Sequence, residues 1–160
     1  MKTLFLTTCL IFAPLAAFAQ SGDPNPVDFG PKELLTISSE TGRHVFNVEI
    51  ADSREEQIHG YMFKESLQGD DGMLFEFSEP GVQTIWMKNT PIPLDVIFVR
   101  SNGKILKIEH SHKPYTLRSA SSEGVVAAVL EVAGGRAKAL GILPGDVIEH
   151  EFFGTAEKSQ

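Results

Sequence analysis

The sequence predicts an α+β domain dominated by an antiparallel sheet, curled towards a barrel or a sandwich, with two or so short helices. Apolar residues recur with a period of two, as where His44, Phe46, Val48 and Ile50 alternate with Val45, Asn47 and Glu49. Short turn signals separate the runs, among them Ser101-Asn102-Gly103-Lys104 and Leu143-Pro144-Gly145-Asp146. Helix signatures are confined to two brief segments, after Asp52 and after Gly135.

The chain opens with MKTLFLTTCLIFAPLAAFAQS, in which Lys2 precedes an apolar run from Leu4 to Leu15 and the small-residue pattern Ala17-Phe18-Ala19. Residues 1–19 therefore read as a signal peptide cut before Gln20, and the protein is expected to be periplasmic or secreted. The run is shorter than the roughly 20 apolar residues of a membrane span, so no span is expected after cleavage. Cys9, the only cysteine, leaves with the leader. Thiol nucleophiles, redox pairs and cysteine-ligated zinc are thereby excluded. The formal net charge is −7, and losing Lys2 makes the exported chain more acidic still. Nucleic acid is a poor partner for such a surface.

Residues 20–32 hold Pro24, Pro26 and Pro31 and read as a flexible or extended lead-in. A single domain is expected over 33–153, followed by a tail over 154–160. Strands are expected at 34–37 and 43–51. Ser53 with Glu56 forms a capping box, and Gly60 suits the left-handed position that ends a two-turn helix. Further strands are expected at 73–77, 83–89, 94–100 and after Lys104. The apolar run VVAAVLEVA, residues 125–133, reads as a strand buried on both faces. Ser119 to Gly124 reads as a loop, Gly134-Gly135 opens a short helix, and DVIEHEFF closes the domain as a strand.

The densest chemistry lies in IWMKNTPIPLDVIF, residues 85–98. Alternation puts Trp86 and Lys88 on one face and Ile85 and Met87 on the other. Pro91 and Pro93 stiffen the connection, since each fixes its own φ and holds its predecessor extended. If strands 84–89 and 94–99 pair as a hairpin, Asp95 comes close to Lys88 or Asn89. Two readings follow. Asp95 accepts hydrogen bonds from loop backbone as a brace, or Trp86, Lys88, Asn89 and Asp95 edge a ligand pocket.

Several phrases coincide with a family pattern. Gly60-Tyr61-Met62 with Lys64 and Leu67, Gly72-Met73-Leu74-Phe75, the stretch from Trp86 to Asp95, Val129-Leu130-Glu131-Val132 with Gly134, and Gly141-Ile142 with Gly145-Asp146 occur in order. Over roughly residues 45 to 152 the chain resembles the bacterial and archaeal "domain of unknown function 192" family. Tyr61 stands where members usually carry Leu, and Lys64 where they carry Arg. The resemblance implies a compact, mostly β fold, often exported, and no settled activity.

Glu131 is a carboxylate inside the most apolar run, and a buried Glu needs a partner. Lys88, Lys64 or a loop backbone are candidates. A hydrolytic enzyme using Asp95 and Glu131 requires both acids in one cleft. His110 and His112 suggest a metal site only if the segment is extended, so that both imidazoles share a side. Met62, Met73 and Met87 fall in apolar patterns and read as core. Gly134-Gly135-Arg136 offers backbone N–H groups to an anion or simply turns the chain. Sequence alone favours an exported, cofactor-free binding or accessory module contacting a small molecule, a glycan or an envelope protein near Trp86–Asp95, with the hydrolase as the alternative.

Overall fold

A computed structural model describes residues 22–156. The proposed signal peptide over 1–19, with Cys9, lies outside the described residues, as does the end of the tail.

Seven strands form one sheet: β1 (Glu33–Ser39), β2 (Gly42–Ala51), β3 (Asp71–Ile85), β4 (Leu94–Val99), β5 (Ile105–His112), β6 (Ala120–Ala133) and β7 (Val147–Glu149). Their order is β5-β4-β6-β3-β2-β1-β7. Every pairing is antiparallel except β2 with β3, which is parallel. A parallel neighbour demands a crossover. Helix α1 (Arg54–His59) and the turns after it supply that crossover. Its capping box is formed, with the Ser53 side chain on the Glu56 amide and the Glu56 carboxylate on the Ser53 amide.

The sheet curls into a half-barrel whose edges approach at the β4–β5 turn. There Ile148 donates to the Gly103 carbonyl at 2.8 Å, and Ile105 donates to Asp146 at 2.8 Å. One apolar cluster contains residues from all seven strands, including Leu35, Phe46, Leu74, Ile97, Leu130 and Ile148, and so fills the inside of the curl. The outer face of β3, β4 and β6 carries a second cluster of Met73, Phe75, Val96, Phe98 and Val129. Tyr61 and Met87 cover that cluster from the segments outside the sheet. The lead-in lies against the same region: Asp23 contacts the His59 ring at 2.9 Å, and Phe29 packs on the cluster.

Four expectations about local structure are corrected. The segments 73–77 and 83–85 are one long strand, β3, with register shifts between Glu76 and Gly81 and between Val82 and Thr84. Such bulges bend a strand without ending it. The chain leaves the sheet at Trp86, so no hairpin joins 84–89 to 94–99; β6 lies between β3 and β4. Ser121 and Ser122 belong to β6 rather than a loop, because the Ser122 hydroxyl receives the Gln83 amide at 3.0 Å across the bulge. The last strand stops at Glu149, where the His150 side chain caps a 3-10 turn over Glu151–Phe153.

Gly103 sits where the curl closes. Its φ is +76°, and a Cβ there would lie 2.5 Å from the Ile148 carbonyl oxygen. Gly103→Ala is therefore expected to cost about 2 kcal/mol or more, from left-handed strain plus displacement of the closing strand. Urea denaturation measures this, and an unchanged midpoint would contradict the closure.

Candidate functional site

Asp95 is fully buried. Its Oδ1 accepts the amides of Ser111 at 2.7 Å and Gly135 at 2.9 Å, and its Oδ2 accepts the amide of Ala137 at 2.9 Å. Helix α2 (Arg136–Leu140) begins at Gly135, which has no side chain to cap it. The carboxylate from β4 takes that place, meeting the unpaired N–H groups and the positive end of the short helix. The anion suited to the Gly134-Gly135-Arg136 turn is thus supplied by the chain itself. Gly134 donates to the Pro93 carbonyl at 2.9 Å, and a Cβ on Gly134 would meet Pro93 at 2.9 Å. The proline loop and the glycine turn are in close contact, with Asp95 beneath them.

Between Met87 and Pro93 the chain makes a tight corner, with Thr90 donating to Met87 and Asn89 at φ +55°. The period of two holds at its start: Met87 is buried, whereas Trp86 and Lys88 face solvent. Lys88 Nζ lies 5.4 Å from the Trp86 ring centroid, a cation–π distance. Asn89 turns inward. Its carbonyl accepts the Phe63 amide at 2.8 Å, and its side-chain amide lies 3.8 Å from the Met62 sulfur.

A second segment runs beside this corner. Met87 donates to the Thr116 carbonyl and Tyr115 to the Thr90 carbonyl, each at 3.1 Å. Tyr115 is 64% exposed and Leu117 69% exposed, next to Trp86 at 47%. Sequence reasoning missed this partner segment. The signal available was a pair of large apolar residues in the loop Lys113-Pro114-Tyr115-Thr116-Leu117.

The four residues expected to edge one pocket are divided by the fold. Trp86 and Lys88 share a surface. Asp95 is removed from the ligand-contacting set, because its oxygens are sealed and occupied by backbone donors. The acid pair of the hydrolytic alternative is corrected too. Asp95 is in register with Val132 and Val96 with Glu131. Directly opposed residues share a face and successive ones alternate, so Asp95 points into the curl and Glu131 away from it. The two carboxyls lie on opposite sides of one sheet and share no cleft.

The histidines are likewise separated. Ser111 has φ +46°, and that left-handed residue breaks the extended alternation that a shared side requires. His112 is buried with Nε2 at 3.0 Å from the Arg118 carbonyl oxygen, while His110 is half exposed, its Nδ1 3.9 Å from Asp95. Among the described residues no three His, Cys, Asp or Glu side chains are grouped to hold a metal ion.

Glu131 stands on the outer face among Met73, Phe75, Val96 and Val129. It is 3% exposed. Burial pushes its carboxyl up to about 8. Nearby, the Tyr61 hydroxyl is buried with no hydrogen-bond partner. Burial first, then the charges of Glu49, Glu131 and Asp71, push its ionisation upward.

Fold and site together define a small curled-sheet domain with an internally capped glycine turn and an exposed tryptophan–lysine corner. The chain belongs to the family described as Uncharacterized ACR, DUF192, whose model matches residues 36–150. A Novosphingobium aromaticivorans protein of unknown function has a similar crystal structure, at TM-score 0.73 and 40% identity, with 74% of this chain and 85% of that one covered. A Sinorhizobium meliloti protein, provisionally described as a transcription regulator, is similar at TM-score 0.76 and 35% identity, with 80% and 99% covered. No curated protein matches the chain. Among the described residues no helix is long and apolar enough to cross a membrane.

Glu131 makes stability depend on pH. Its carboxyl titrates at about 8 in the fold against an ordinary 4.5, so the unfolded chain ionises first as pH rises. The contribution is complete below about pH 4.5 and is lost towards pH 8, at up to about 1.4 kcal/mol per pH unit. Glu76, pushed up to about 7 by burial and by Glu33 and Asp52, acts in the same direction. Glu131→Gln is therefore expected to flatten, but not abolish, the fall of unfolding free energy between pH 5 and 8. Identical slopes for the two proteins would show that Glu131 is not held neutral.

Proposed function

We propose that the protein is an exported, non-catalytic binding module that recognises an anionic glycan at the corner formed by Trp86, Lys88, Tyr115 and Leu117. The observation that carries this reading is the pair of exposed aromatic rings on two bonded segments, with a lysine over one of them. Trp86 and Tyr115 belong to neither of the two apolar clusters, so their rings are left to the surface. A flat ring stacks on the apolar face of a sugar, and the neighbouring ammonium meets a carboxylate or sulfate substituent. Arg118 and Lys113 flank the same segment.

Rigidity supports the reading. The corner is anchored through Gly134 to Pro93 and through Phe63 to Asn89, so little ordering is left to oppose binding. A nucleic-acid partner, which the description of the Sinorhizobium relative suggests, needs a row of Lys and Arg along its phosphates, which a net charge of −7 disfavours, whereas a sugar with one anionic substituent needs only Lys88. Export rests on the leader pattern of residues 1–19.

Calorimetric titration with neutral and anionic oligosaccharides tests the proposal. Anionic members are expected to bind, Trp86→Ala to weaken them about tenfold or more, and Lys88→Gln to remove much of the salt dependence. Failure of every sugar to bind, or equal binding by Trp86→Ala, would overturn the reading and leave a protein partner as the simpler occupant.

A further inference from the structure

The apolar surface at Trp86 continues along the sheet. Past the β3 bulges, the ends of β3 and β6 run on as a paired arm, with Val82 opposite Val125 and Thr84 opposite Ser121. One face of this arm packs on the outer cluster through Ile85, Ala120 and Val126. Exposure alternates as a strand requires: Val82, Thr84 and Trp86 face solvent, whereas Gln83 and Ile85 are half buried. Val82 and Val125 are each more than half exposed. Leu117, also exposed, follows Thr116, whose carbonyl accepts the Met87 amide. The side chains of Val82, Val125, Trp86 and Leu117 therefore make one solvent-facing row, interrupted only by the small hydroxyls of Thr84 and Ser121. Single apolar residues on a surface are ordinary, but a continuous row marks a place of contact.

Charge is unevenly spread along the row. At the Trp86 end stand Lys88 and Lys113, both exposed and neither with a carboxylate partner among the described residues. The other cations near it are already held, Arg118 by Glu109 at 3.2 Å and Lys107 by Glu123 at 2.5 Å. At the Val82 end, residues 77–83 and 122–128 contain no Lys or Arg, and their charged residues are Glu79 and Glu123. Such a surface complements a ligand that is anionic at one end and apolar at the other.

We propose that the anionic glycan bound at the corner is the head group of a glycolipid, whose hydrocarbon chain lies along the outer row of the arm over Val82 and Val125. The inference rests on the glycan reading above and names the rest of the ligand. The sugar stacks on an exposed ring, its anionic group meets Lys88 and Lys113, and the chain runs away from the cations towards the valines. Between Trp86 and Val82 the strand offers at most about 13 Å to the chain. The row covers the chain from one side, so every two methylenes are expected to strengthen binding about fourfold, less than full burial would give.

Calorimetry with methyl, octyl and decyl β-glucuronides and the matching neutral glucosides, all below micelle-forming concentrations, tests this. Glucuronide affinity is expected to rise about fourfold per two methylenes until the chain outruns the row. It is expected to exceed that of the glucoside of equal chain length by a margin that shrinks with salt. Val82→Ser combined with Val125→Ser, both at exposed positions, is expected to flatten the rise, and the chain-length series on the unaltered protein stands even if that variant fails to fold. Methyl glucuronide bound as tightly as decyl glucuronide would overturn the inference and leave the glycan reading standing. Glucosides bound as well as glucuronides, or no glucuronide bound at all, would overturn both. A rise unchanged in a folded double variant would remove the chain from this row. A dimer of the unliganded protein in light scattering, lost in the double variant, would give the row to a second copy and overturn the inference as well.

Discussion

The Asp95 carboxylate is the point at which three otherwise unrelated segments are tied together. It stands on β4, and its two oxygens hold the end of β5 through Ser111, the glycine turn through Gly135 and the start of α2 through Ala137. A fully buried charge is tolerable only when such donors replace water. Much else follows from that one arrangement. Ser111 is kept in a left-handed conformation that costs an ordinary residue roughly 1–2 kcal/mol. The glycine turn is kept against Pro93, and the proline loop above it keeps Trp86 at the surface. Removing the carboxylate would free the end of β5 and the glycine turn, against which Pro93 of the proline loop rests.

The same sheet places Glu131 on its other face, and the contrast gives the two acids different meanings. Asp95 is complete within the chain, and its chemistry ends there. Glu131 is buried in the apolar outer cluster, and burial pushes its carboxyl upward. Their adjacency along β4 and β6 first invites a catalytic pair, yet strand alternation forbids it. The functional reading proposed for the domain therefore rests on the aromatic corner and not on the two acids.

Much of this was legible in the sequence. Period-two patterning, the Ser53–Glu56 capping box and the Asn102-Gly103 turn each act within a few residues, and each has its expected structure. The brace role of Asp95 was legible as a possibility, because a carboxylate next to a proline loop needs donors. The identity of those donors was not, since Ser111 and Ala137 lie 16 and 42 residues away. Strand order was hidden for the same reason: a local hairpin at Pro91–Pro93 looked natural, whereas β6, from far along the chain, separates β3 from β4. Bulges misled the pattern as well. Glu79, Pro80 and Gly81 resemble a turn in sequence, but in space they only bend β3. Tyr115 and Leu117 were passed over because exposure of an apolar residue is a property of the fold, not of its neighbours in sequence.

Hydrogen exchange at three amides tests the central claim most directly. If Asp95 binds Ser111, Gly135 and Ala137 as one clamp, their amide protons exchange only with opening of the sheet, at the rates of core amides such as Val129 and Leu130. Exchange at those three positions as fast as at the exposed Asn102 turn would contradict the account, because the segments would then be held by something other than the carboxylate.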